Sequence, residues 1–332
     1  MAEPSSSALV LTAASAAPFR FLFRLVLKES TPDDRFWPIS ALLRILQTPI
    51  PAIVPGHLAL AAPGSMRIPA LLALPILLIC ASCSALPTPK GADRVLFVGN
   101  SLTYVGNAPA VFSALAQANG RPMASDMIVR GGATLTQRVS DGSVARALEE
   151  KRYTALVLQE RGGDLMCSFG PDSCVQSRQA IKALAALARE KGVSVVLLGT
   201  YQTAPAASQS LIQEESSAAA EAGIPYIEVS EKLQQLRSSA PELRWFAPDG
   251  SHPGKDLALL NAVLVYKTLR GSLPRPRPLT VMAPIYGSTS GLTETLRQSD
   301  APPPLPDTPG EVRYSSETLR TLLDTVSSEG GS

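Results

Sequence analysis

Histidine is the scarcest reagent in this chain. Two are present in 332 residues, His57 and His252, so an imidazole general base must be one of them. His252 stands in Pro248-Asp-Gly-Ser-His-Pro253, a Pro/Gly-rich loop segment, with Asp249 three residues ahead of it. A carboxylate at that spacing can reach an imidazole across a tight turn and fix its tautomer. Taken alone, an aspartate beside a lone histidine is common on protein surfaces. The second candidate is Ser101 in Gly99-Asn-Ser-Leu-Thr103, directly after the apolar run Val95–Val98. A serine at a strand end can present its hydroxyl and backbone N–H to a substrate, or it can cap a strand-to-helix turn.

These residues need a scaffold, and the chain alternates strand and helix signals around them. Val95–Val98, Ala155–Leu158 and Val193–Leu198 read as buried strands, with a weaker one at Asp126–Val129 and a short one at Tyr226–Val229. Helices are predicted from Asn107 to Asn119, Ser143 to Lys151, Ser177 to Lys191, Ser208 to Ala222 and Lys255 to Arg270. Glycines 120, 192, 223 and 271 follow four of them as stops. Apolar strands separated by helices predict one α/β domain over residues 92–271, its parallel sheet covered on both faces. From Ser272 to Pro309 the chain carries nine prolines, which predicts an extended, weakly structured segment. A terminal helix is expected at Ser316–Ser327, where Leu319, Leu322, Leu323 and Val326 share a face. Residues 272–332 are thus read as a Pro-rich tail.

Together, Gly99-Asn-Ser-Leu102 and Asp249-Gly-Ser-His-Pro253 resemble the first and last sequence blocks of the SGNH (GDSL-type) hydrolase superfamily. They sit at the two ends of one α/β region, 148 positions apart from Ser101 to Asp249. The resemblance covers roughly residues 94–270. It implies a three-layer α/β/α, flavodoxin-like fold and a Ser-His-Asp esterase. Ser101 would be the nucleophile, His252 the general base and Asp249 its orienting partner. The backbone N–H groups of Ser101 and Gly132, the latter from Gly131-Gly-Ala-Thr134, would serve the oxyanion hole. The superfamily's asparagine block is missing. Leu158-Gln-Glu-Arg-Gly-Gly-Asp164 stands in its place, so Gln159 is expected to supply the remaining donor through its side-chain amide. The substrate expected by analogy is a small acyl ester, including O-acetyl on a glycan, with no metal or organic cofactor. The competing reading is a non-catalytic envelope module that binds carbohydrate or acts as a scaffold. A nucleotide-binding reading lacks any Gly-x-Gly-x-x-Gly or Walker pattern after the first strand.

Thirty basic against 28 acidic residues leave a formal +2, and aromatic residues are 5%. Neither value suits a nucleic-acid partner. Residues 1–65 show no sustained periodicity. Met66-Arg67 then opens a run of apolar residues to Ala81, which is signal-peptide architecture but short for a membrane span. Residues 66–83 are read as a lipoprotein-like signal, with Met66 as the start and residues 1–65 as a start placed too early or a natural extension. Cys83, after Ala81 and Ser82, is the expected lipidation site and would tie the protein to a membrane; ordinary secretion with cleavage near Ala85 is the alternative. Residues 84–91 form a linker. In an exported, oxidising setting Cys167 and Cys174 suit a local disulfide across a loop, rather than a reactive thiol.

Overall fold

The computed structural model describes residues 93–327 apart from residue 203. Met66, Cys83 and His57 lie outside these residues, as do the leader and linker expected there.

The central sheet has the order β5-β4-β3-β1-β2-β7. Its strands are β1 (Asp93–Gly99), β2 (Met123–Arg130), β3 (Ala155–Leu158), β4 (Ser194–Leu198), β5 (Tyr226–Ile227) and β7 (Thr293–Gln298). The first five run parallel. The order reverses between β1 and β3, and open α/β sheets place ligands beyond the C-terminal ends of the strands at such a reversal.

Val95, Leu96, Phe97 and Val98 are all buried. A continuous apolar strand of this kind needs cover on both faces, and successive side chains supply it. Val95 and Phe97 pack on the layer of α2 (Ala108–Ala118), α7 (Ser230–Ser239), α8 (Lys255–Arg270) and α9 (Ser316–Ser327). Leu96 and Val98 pack on the layer of α4 (Ser143–Glu150), α5 (Pro171–Glu190) and α6 (Pro205–Ala222). The three layers match the fold class expected from the motifs.

Three local expectations are corrected. The helix expected from Ser177 begins at Pro171 instead, because proline at the first helical position gives up no hydrogen bond and Asp172 favours a helix start. Two short helices were unforeseen, α3 (Leu135–Ser140) and α7. The first is announced by a capping box in which Thr134 and Gln137 satisfy each other's backbone donors. The strand expected to reach Val229 ends at Ile227, since Val229 already turns into α7.

The largest correction concerns the tail. The segment expected to be weakly structured carries β6 (Leu279–Met282), β7 and β8 (Glu311–Tyr314). β6 and β8 form a two-stranded antiparallel sheet. β7 joins the main sheet antiparallel to β2, covering what would otherwise be an unpaired edge. Proline density marked the connections between these strands correctly and missed the strands themselves. The apolar face of α9 is buried against the α7–α8 layer, and Lys267 Nζ donates to Val326 O at 2.9 Å.

Candidate active site

The loop ahead of α8 is a closed turn built around Asp249. Its Oδ1 accepts the backbone N–H of Ser251 at 2.9 Å and of His252 at 2.9 Å, plus the Ser251 hydroxyl at 3.2 Å. Its Oδ2 accepts from His252 Nδ1 at 2.7 Å. The two backbone donors lead in holding the Asp249 carboxyl well below the usual carboxylate range. An ionised Asp249 places the ring proton on Nδ1 and leaves Nε2 as the base. Both side chains keep solvent access, 32% for Asp249 and 28% for His252. From the end of β4, Tyr201 donates its hydroxyl to Ser251 O at 2.6 Å. Burial pushes the Tyr201 pKa up, so it remains a donor.

Ser101 opens α1 (Ser101–Tyr104), the turn that follows β1. Asn100 shapes this turn. Its side chain accepts from Leu102 N at 3.0 Å and donates through Nδ2 to Ala133 O at 3.2 Å. One residue therefore links the Ser101 turn to the Gly131–Thr134 segment. Gly99 is required by the same turn, because a Cβ there would lie 2.1 Å from Thr103 Oγ1. Gly106, just beyond α1, approaches the start of α8; a Cβ on it would meet Ala258 Cβ at 2.8 Å. That approach brings the Ser101 and His252 segments to one end of the sheet. Among the described residues no hydrogen bond joins Ser101 to His252.

Gly132 sits in an exposed turn with φ +65°. Among the described residues, neither its N–H nor that of Ser101 is taken by a backbone acceptor.

Gln159 is a correction. It is 1% exposed, and both ends of its amide are committed. Oε1 accepts the Thr103 hydroxyl at 2.8 Å, and Nε2 donates to Gly199 O at 3.2 Å. It therefore braces the Ser101 turn against the ends of β3 and β4 and does not present a donor to solvent. A strand-end amide that could have pointed outward points inward, because Thr103 and the Gly199 carbonyl both need a partner there.

Residues the sequence reading passed over complete the frame. Glu160 is buried and accepts Leu135 N at 3.0 Å, Arg161 N at 2.8 Å and the Ser177 hydroxyl. Burial raises it to about 7. Glu215, also buried, accepts Thr200 N at 2.9 Å, Thr200 Oγ1 at 2.7 Å and Tyr226 OH at 2.8 Å, and is likewise raised to about 7. Asn100 was legible as a cap residue before a helix; the two glutamates gave no local signal.

Cys167 and Cys174 are joined by a disulfide. It ties the 3-10 turn Asp164–Met166 after β3 to the first turn of α5. The same loop is held by Arg161, which donates to both Asp164 oxygens at 2.8 and 3.0 Å and stacks over Phe169 at 3.6 Å. Among the described residues no group of three or more His, Cys, Asp or Glu could hold a metal ion. No described helix is long and apolar enough to cross a membrane.

No family model and no curated protein matches the chain. Solved structures do. A protein from Slackia heliotrinireducens assigned as an SGNH hydrolase is 22% identical, with TM-score 0.44, over 54% of this chain and 99% of its own. A psychrotrophic esterase from a Pseudoalteromonas species is 13% identical, with TM-score 0.43, over 54% of this chain and 97% of its own. A catalytic mutant of an acetylxylan esterase from Geobacillus stearothermophilus is 11% identical, with TM-score 0.44, over 53% and 93%.

Proposed function

We propose that this chain is a serine esterase of the SGNH type, exported and acting on small acyl esters. The observation that carries the reading is the Asp249–His252 pair at 2.7 Å, set at the same end of the sheet as Ser101. His252 Nε2 takes the Ser101 hydroxyl proton as Oγ bonds to the acyl carbon. The carbonyl π electrons move to oxygen, where the N–H groups of Ser101 and Gly132 receive the charge. Collapse breaks the bond to the alcohol oxygen, and that oxygen leaves with the proton from His252. Water then repeats the sequence on the acyl-serine, with His252 as base, releasing the acid and restoring Ser101. No cofactor takes part in this scheme.

With Gln159 withdrawn from the oxyanion hole, the two backbone donors carry the charge. O-acetylated glycans are the proposed substrate class, by analogy. Export, and anchorage through lipid on Cys83, belong to the same proposal.

The test is turnover of p-nitrophenyl acetate together with labelling by a serine-directed phosphonate. Wild type is expected to turn over and to take up one label. Ser101→Ala and His252→Ala are expected to lose turnover by orders of magnitude while keeping their thermal midpoints. A folded wild type that neither hydrolyses the ester nor takes the label would instead favour the non-catalytic carbohydrate-binding or scaffolding reading.

A further inference from the structure

The turn that carries Gly132 is exposed, and a Cβ placed on Gly132 would meet nothing within 4 Å. Packing at Gly132 therefore does little to fix its N–H; the neighbours on either side set where it stands. Gly131 N donates to Leu292 O at 3.3 Å, and Ala133 O accepts from Asn100 Nδ2 at 3.2 Å. The third hold is Glu160, whose Oε1 and Oε2 accept Leu135 N at 3.0 and 3.3 Å. Leu135 is the first residue of α3, where a helix leaves its N–H groups without an internal partner.

Glu160 lies two residues beyond β3, and β1 stands between β3 and β2 in the sheet. Its bond to Leu135 thus links two loops that the sheet keeps apart, with the Ser101 turn after β1 between them. The carboxylate is itself anchored. It is 2% exposed, its Oε1 also accepts Arg161 N at 2.8 Å, and its Oε2 accepts the hydroxyl of Ser177 on α5.

We propose that Glu160 is a positioning residue for the Gly132 N–H. Asn100, the neighbour of Ser101, holds the turn one residue after Gly132, and Glu160 holds it three residues after. The two side chains place the Gly132 donor relative to the nucleophile. Releasing Leu135 lets the turn shift, and the N–H moves from the place where an oxyanion would form. The kinetic consequence rests on the esterase reading; the position of the Gly132 amide does not.

The test uses four variants of the full chain, with kinetics on p-nitrophenyl acetate and the Gly132 amide shift by NMR. Glu160→Ala is expected to lower kcat about 10²-fold, the scale of a reacting group misplaced by about 1 Å. KM is expected to change little, because the oxyanion charge exists only in the transition state. Glu160→Asp keeps the charge and shortens the reach, and is expected to lose kcat in the same direction; it decides the matter if Glu160→Ala does not fold. Glu160→Gln keeps the reach, with an oxygen for Leu135 N and an amide to donate to Ser177, and is expected to turn over near the wild-type rate. Ser177→Ala removes a bond to the same carboxylate on the side away from Gly132. It is expected to lower the thermal midpoint and leave kcat near wild type. The Gly132 amide shift is expected to move in Glu160→Ala and Glu160→Asp and to stay in Ser177→Ala. The proposal is overturned by native kcat in Glu160→Asp, by a Glu160→Gln as impaired as Glu160→Asp, by an equal kcat loss in Ser177→Ala, or by an unmoved Gly132 amide in Glu160→Asp. If wild type hydrolyses nothing, the esterase reading falls and the amide shifts still decide whether Glu160 positions Gly132.

Discussion

One carboxylate of Asp249 holds His252 twice, by its backbone N–H at 2.9 Å through Oδ1 and by its imidazole at 2.7 Å through Oδ2. The backbone contact fixes where the ring begins, and the ring contact fixes how it turns. Asp249→Asn keeps the size and loses this arrangement, because an amide nitrogen must face either the backbone donors or Nδ1–H. The expected loss in kcat on p-nitrophenyl acetate is about 10⁴-fold, as when a triad carboxylate becomes an amide. Retention of near-native turnover would remove Asp249 from the mechanism.

Gln159 should behave as a brace. Gln159→Ala strips partners from the Thr103 hydroxyl and the Gly199 carbonyl, both inside the protein, at a cost of about 1–3 kcal/mol for each group left unpaired. Denaturant melts should show that loss directly. An oxyanion donor would give the opposite pattern, full stability with kcat down about 10²-fold. Gln159→Glu should also destabilise, since it replaces the donor to Gly199 O with a buried charge.

Stability should fall as pH rises through a defined window. Glu160 and Glu215 are raised from the ordinary 4.5 to about 7 by burial, against the donors that favour their anions. Between those values the folded chain binds more protons than the unfolded chain, so their contribution is lost as pH rises. The slope is at most about 1.4 kcal/mol per pH unit for each group. Denaturant melts across the window should show this decline, and Glu160→Gln or Glu215→Gln should flatten it. A slope equal in wild type and both variants would show that these carboxylates ionise normally.

Cys167 and Cys174 should resist alkylation until a reductant is added, because both sulfurs are in one bond. Mass spectrometry of the native protein reads this without any assay. Two free thiols would contradict the staple.

Ending the chain at Gly271 should abolish cooperative folding. The cut removes β7 from the β2 edge and uncovers the apolar partners of α9. Circular dichroism melts of the shortened chain are expected to show no native transition; a melt like that of the full chain would restore the tail to a mere appendage.

What the sequence by itself determined is local. The buried runs of β1, β3 and β4 were legible because apolar residues with no polar interruption admit few other structures, and α8 was legible in full from its periodicity and Gly271. The Asp249–His252 contact was legible because three residues of a tight turn confine both side chains. What tertiary structure decided involves partners far apart in the chain. Gln159 faces inward because Thr103 and Gly199, 56 and 40 positions away, take both ends of its amide. The tail forms strands because β2 offers an open edge more than 160 positions upstream of β7. Spacing along a chain constrains neighbours through a few backbone dihedrals; it says nothing about which distant donor will satisfy a buried acceptor, and that choice falls to the packed fold.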